Sequence, residues 1–186
     1  MRSHRQHNRP EHHFCWSTCH LDHQVKGFTL IELLVVIAVT ILMAGWAIPS
    51  LQAFTARHQV ATEVLRIKTA LAQTKNTAVT RRTDISVCPS RDQEACLSDW
   101  TAPLMIIQGR ADGGSRGADE PILKVLPASE VATITFRNGS SVIRFPATGW
   151  PRGYNGTFNI CGNHGQAAQV VMSNLGRVRT AGKGEC

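Results

Sequence analysis

Phe28–Ile48 reads FTLIELLVVIAVTILMAGWAI, 21 residues in which Glu32 is the sole charge. About 20 apolar residues wound as a helix span a hydrocarbon core of roughly 30 Å. A secretory signal core would be shorter and would close on a small-residue cleavage pattern, which this stretch lacks. It therefore predicts a membrane-spanning helix. Arg2, Arg5, Arg9 and Lys26 precede it, and the positive-inside bias places that side in the cytoplasm and the rest of the chain outside. A carboxylate within such a helix costs a few kcal/mol, so Glu32 needs a partner, or a place near the interface from which it can snorkel.

Beyond Pro49, Leu51, Phe54, Val60, Val64, Ile67, Leu71, Ala78 and Val79 recur mostly at three- and four-residue steps. That spacing gathers them on one helical face. One helix from Phe28 to about Thr80 is expected, bent near Pro49. From Arg81 the pattern changes to short β-branched runs: Thr83–Cys88, Leu104–Gln108, Ile122–Leu126, Ala132–Phe136, Ser141–Phe145, Thr157–Cys161 and Gln169–Met172. Asn138-Gly139 reads as a hairpin turn. Asn174-Leu175-Gly176 reads as another, leading into Arg177–Thr180. Gln108–Pro121 is a loop by composition and is expected to be the most mobile part.

The length of 186 residues suits one domain plus an anchor. With 42% hydrophobic and 18% charged residues the chain is too apolar for a disordered one. The formal charge of +7 favours anionic partners. Cys88, Cys96, Cys161 and Cys186 follow the apolar segment, and four cysteines in an exported domain suggest two disulfides. Three pairings are possible; Cys88–Cys96 with Cys161–Cys186 is favoured because each closes a local segment.

Lys26-Gly27-Phe28-Thr29-Leu30-Ile31-Glu32-Leu33 resembles the prepilin signature of type IV pilins and type II secretion pseudopilins. The resemblance implies a leader of residues 1–27, cut between Gly27 and Phe28 by a prepilin peptidase, and methylation of the new amino terminus at Phe28. Glu32 becomes the fifth mature residue, expected to pair with the N-terminal ammonium of a neighbouring subunit during assembly, which gives the buried charge a partner. The leader is long for the family, and a start at Val25 is a second reading.

In the head, Phe145-Pro146-Ala147-Thr148-Gly149, Thr157–Cys161, Val170–Arg179 and the terminal Cys186 are similar to the GspH/FimT family of minor pilins and minor pseudopilins. The resemblance runs from Lys26 to Cys186. It implies an α+β, type IV pilin-like fold: a long N-terminal helix with a membrane half (28–48) and an amphipathic half (49–80), packed on an antiparallel β head (81–186). It also implies other major and minor pilin or pseudopilin subunits as partners. The expected location is the bacterial inner membrane, head periplasmic, before assembly, and a pilus or pseudopilus afterwards. The role implied is a minor pilin at or near the tip of a type IV pilus; the alternative is a minor pseudopilin of type II secretion.

The cysteine pairs and Gly176-Arg177-Val178-Arg179 lean toward the pilus. Residues two apart on a strand face the same side, so Arg177 and Arg179 present two guanidinium groups together, and such forks bind phosphate oxygens bidentately. The pattern is similar to one through which minor pilins of naturally competent bacteria are thought to hold double-stranded DNA. Arg177, Arg179 and Lys183 are the candidate DNA-binding residues. The competing reading is a solvated edge strand guarded by charge. Losing residues 1–27 removes four basic and two acidic residues and lowers the formal charge from +7 to +5. Arg137, Arg144 and Arg152 could extend a basic patch. Trp100, Trp150 and Tyr154 look scattered and suited to packing, so contact with DNA would be mainly to phosphate.

No enzyme is expected. Ser173, His164 and Asp99 could be forced into a triad, but no nucleophile-elbow motif accompanies them. Cys15, Cys19, His20 and His23 fit no closed zinc motif, and neither a metal nor a cofactor is expected.

Overall fold

The computed structural model describes residues 27–182, 184 and 186, Pro49 by its backbone alone. Residues 1–26, with Cys15, Cys19, His20 and His23, lie outside the described residues, as does Lys183. The chain divides into two units, Met1–Ile41 and Leu42–Cys186.

In the first unit the chain enters helix α1, Leu30–Arg81. Thr29 supplies the cap: its Oγ1 accepts the Glu32 N–H at 3.2 Å, and its carbonyl accepts that of Leu33. Thr-x-x-Glu is capping-box spacing, which satisfies orphan amides at a helix start. The apolar side chains from Leu30 to Val39 are exposed. The most apolar 18-residue window of α1 has a mean hydropathy of 2.4, long and apolar enough to cross a membrane.

In the second unit α1 turns one face into a core. Ala56, Val60, Glu63, Ile67, Ala70, Leu71, Thr74 and Ala78 are buried, at steps of three and four. Leu51, Phe54 and Val79, expected on this face, are exposed instead. The true stripe is shifted by the inclusion of Glu63 and Thr74, which polarity hides from a hydrophobic count. Thr74 Oγ1 is satisfied within the helix by the Ala70 carbonyl at 2.7 Å. The helix ends where Arg82 takes a left-handed conformation (φ 52°) and the Thr83 N–H reaches back to the Ala78 oxygen.

The strands form two antiparallel sheets. β1 (Ile85–Pro89), β2 (Leu104–Gln108), β3 (Ile122–Leu126) and β5 (Ile143–Phe145) build one, ordered β3-β2-β1-β5. β4 (Thr133–Phe136), β6 (Gly156–Cys161), β7 (Ala167–Met172) and β8 (Val178–Ala181) build the other, ordered β4-β6-β7-β8. Both contribute to one core with α1, which takes in Ile67, Leu71, Ile85, Ile106, Phe145 and Val170, with Trp100 edge-on to Phe158. The opposite face of β1 and β2 closes on a smaller cluster of Cys88, Met105, Ile107 and Ala111.

Two expectations are corrected. Asn138-Gly139 does lie at a turn, closed by the Gly139 N–H on the Phe136 oxygen, but it makes no hairpin: β4 pairs with β6 and β5 with β1. The chain changes sheets there, which no local signal announces. The 108–121 segment is pinned rather than loose. Ala95 bridges Ser115, and the Glu120 carboxylate accepts the N–H groups of Arg110, Ala111 and Gly117. Cys88 is joined to Cys96, and Cys161 to Cys186.

Candidate anion-binding surface

Among the described residues β8 is an edge strand, paired with β7 alone. Met172 stands opposite Val178 and Val171 opposite Arg179. Met172 is buried and Val178 packs against the core, so alternation turns Arg179 to the outer face of the sheet. Arg177 sits one residue before β8, also exposed. Its backbone is held on both sides: its N–H donates to Ser173 Oγ at 3.2 Å, and its oxygen accepts the Ser173 N–H at 3.0 Å. Among the described residues no carboxylate lies within ion-pair distance of either guanidinium.

The turn that presents the pair is fixed from below. Gly176 has φ 70°, and a Cβ there would lie 3.0 Å from both the Gly149 oxygen and Pro151 Cδ. Its lack of a side chain thus serves close packing of two loops of this chain. Lys75 of α1 donates to the carbonyls of Leu175 (3.3 Å) and Gly176 (3.5 Å). Helix, 146–151 loop and β7–β8 turn therefore lock together and hold the Arg177 backbone rigid.

Arg137 joins this surface by register. It follows β4, exposed, and its N–H bonds the Thr157 oxygen at 2.9 Å. Thr157 pairs with Val171, which pairs with Arg179. Arg137 and Arg179 thus close the two ends of one outward-facing row, three strand spacings or about 14 Å apart.

Arg144 and Arg152 lie elsewhere. With Arg110, Trp150 and Tyr154 they line a cavity of about 530 Å³ beside β5. Trp150 and Tyr154, scattered in sequence terms, are brought together there, whereas Trp100 is buried in the core. Sequence reasoning missed Arg110, which sits in the glycine-rich loop with no pattern to mark it.

The residues weighed as a triad are engaged otherwise: Asp99 accepts from Thr101 and Arg91, and Ser173 Oγ accepts from Arg177. Among the described residues no group of three or more His, Cys, Asp or Glu side chains is placed to hold a metal ion.

The family described as Type II transport protein GspH matches residues 63–176, and the prokaryotic N-terminal methylation motif matches residues 22–48. The chain belongs to the GspH family. The type IV major fimbrial protein FimA of Dichelobacter nodosus is 31% identical over 145 residues, which cover 72% of this chain and 85% of that protein. The type IV major pilin PilE1 of Neisseria gonorrhoeae is 47% identical over 55 residues, and the chain spans only 30% of its length. Among solved structures, the type IV minor pilin FimU of Pseudomonas aeruginosa superposes with a TM-score of 0.54 at 25% identity, covering 69% of this chain and 92% of that one. The chain is a pilin-like subunit of minor pilin or pseudopilin type. The methylation motif takes in Gly27, Phe28 and Glu32.

Proposed function

We propose that this GspH-family chain is a minor pilin at or near the tip of a type IV pilus, and that it holds extracellular double-stranded DNA through Arg177 and Arg179. One observation carries the DNA reading: two exposed arginines flank Val178 at a sheet edge, on a turn locked by Lys75 and the 146–151 loop, with no carboxylate partner among the described residues. Unpaired guanidinium charge carried on an anchored backbone suits contact with phosphates. Arg137 supplies a third cation on the same sheet face. Lys183 remains a candidate by sequence alone. The role is structural and adhesive, not catalytic. Residues 1–27 are the leader, 28–48 the membrane and assembly segment of α1, and the head lies on the periplasmic side until assembly.

A salt series tests it. The processed full-length chain in detergent should bind duplex DNA with a log affinity that falls linearly with log salt. Arg177→Ala/Arg179→Ala should make that slope shallower by roughly 2, at about 0.9 per phosphate contact. Equal slopes would return the pair to a solvated strand edge. The second reading, a type II secretion pseudopilin, is favoured by the match to the GspH family itself. Deletion of the gene separates the two: loss of piliation supports the pilus, and loss of protein export with normal pili supports the pseudopilus.

A further inference from the structure

The cavity beside β5 combines three arginines with two aromatic rings, and the arginine pair on β8 makes no use of it. Its floor is charged but incompletely balanced. Arg144 reaches Asp112 at 3.3 Å, and Arg110 lies 3.5 Å from Asp112 and 3.7 Å from Asp84. Two carboxylates thus serve two guanidiniums, while Arg152 has no carboxylate partner among the described residues and lies over the Trp150 ring, 5.9 Å from its centroid. Trp150 is 46% exposed, so a large ring that would gain from burial is left in contact with solvent. The rim is nonetheless ordered. Asn138 Nδ2 donates to the carbonyls of Gly153 (3.0 Å) and Asn155 (2.9 Å), and the Arg152 and Tyr154 N–H groups bond the Trp150 and Pro151 oxygens. A volume of about 530 Å³ falls within the range of small-ligand sites.

We propose that this cleft takes one unpaired nucleotide, with its phosphate at Arg144 and Arg152 and its base against the exposed Trp150 indole. Guanidiniums select the phosphate; Arg152 covers part of the Trp150 ring, and the solvent-exposed remainder of the indole offers a stacking surface that tolerates any base. The inference builds on the DNA-binding reading by adding a second contact for the same polymer. The 146–151 loop that carries Trp150 touches the Gly176 turn that carries Arg177, so the two contacts are linked through one pair of packed loops.

Equilibrium dialysis of labelled thymidine 5′-monophosphate against the processed full-length chain in detergent tests the site. Saturable binding is expected, with a single-stranded oligothymidylate competing and the unphosphorylated nucleoside at least tenfold weaker. Trp150→Leu and, independently, Arg152→Gln should each weaken binding at least tenfold with melting temperature unchanged. Arg177→Ala/Arg179→Ala should leave the mononucleotide affinity as it is while weakening duplex binding, so the two sites succeed or fail separately. No saturable binding overturns the proposal. So does inorganic phosphate competing as tightly as the nucleotide, because the base would then contribute nothing. A nucleoside that binds as well as the nucleotide overturns it too.

Discussion

Arg66 of α1 donates from Nη2 to the main-chain oxygen of Trp100 at 2.7 Å. Nη1 of the same guanidinium reaches the Pro127 oxygen at 3.1 Å, and Nε meets Glu63 at 2.5 Å. Side-chain exposure is 8% for Arg66 and 5% for Glu63. The pair is thus a buried clamp between helix and loops. Removing one partner strands the other charge, which typically costs about 3–5 kcal/mol. Arg66→Ala should lower stability by that amount in urea titration. Arg66→Lys should recover only part of it, because an ammonium cannot reproduce the planar fork that spans two carbonyls and a carboxylate.

Gly176→Ala sets a different test. The left-handed φ is strained for any L side chain, and the 3.0 Å approaches to Gly149 and Pro151 force both loops to give way to a methyl group. A loss above about 1 kcal/mol is expected, together with weaker duplex binding, since the turn fixes the Arg177 backbone. Gly182→Ala serves as the control: no atom lies within 4 Å of a Cβ there, and its φ is not left-handed. It should change neither stability nor binding.

What the sequence revealed follows the range of its signals. Leu104–Gln108 and Ile122–Leu126 became β2 and β3 with the expected bounds, because β-branched runs framed by Pro and Gly are local statements. Arg179 on the outer face was equally legible from alternation around Val178. The β5 cleft was not. Arg110, Arg144 and the Trp150–Arg152 loop are three separate segments, brought together by the pairing of β1 with β5 and by Asn138 of the β4–β5 turn, which holds the loop beyond Arg152. Glu63 was hidden for a similar reason: Arg66, its partner in the helix, completes its hydrogen bonds on carbonyls 34 and 61 residues away.

Acid should weaken the 108–121 segment first. Burial pushes the Glu120 carboxyl up, but N–H bonds from Gly117, Arg110 and Ala111 and the Arg116 charge together outweigh it. Its pKa therefore lies below its ordinary value of 4.5. Asp99 is also lowered, first by the Thr101 hydroxyl, against its own burial, with help from the Thr101 N–H and Arg91. A depressed folded pKa gives stability that is fully present above the unfolded value and lost as pH falls through the folded one. Unfolding free energy should be insensitive to these groups above about pH 5 and decline below it. Glu120→Gln should be less stable at neutral pH and show a shallower acid slope. An unchanged slope would mean that the carboxylate is not what pins this loop.

The disulfide between Cys161 and Cys186 secures the chain end. Gly184 passes close enough to Ala168 of β7 that a Cβ would lie 3.1 Å from its oxygen, and Cys186 is bonded to Cys161 of β6. Closing a loop of this length typically contributes about 2–4 kcal/mol. Cys161→Ser/Cys186→Ser should lower the melting temperature accordingly, and hydrogen exchange should rise in β8 more than in β2. Uniform loss of protection across both sheets would mean that the bond supports the whole head rather than its edge.

Glu32 gives the sharpest test of assembly. Thr29 Oγ1 caps the first turn at the Glu32 N–H, which places this carboxyl in the opening turn of an otherwise apolar helix half. The proposed partner is the amino terminus that cleavage before Phe28 creates on a neighbouring subunit. Glu32→Val should therefore be processed at Gly27 at the normal rate, since the scissile bond is untouched. It should then accumulate in the membrane and be missing from sheared filaments or pseudopili, because the neighbour's ammonium would enter the apolar assembly without a counter-charge. Glu32→Asp keeps the charge on a shorter arm and should assemble at an intermediate level. If Glu32→Val enters filaments as the wild type does, the carboxylate reaches water at the membrane surface and plays no part in subunit addition.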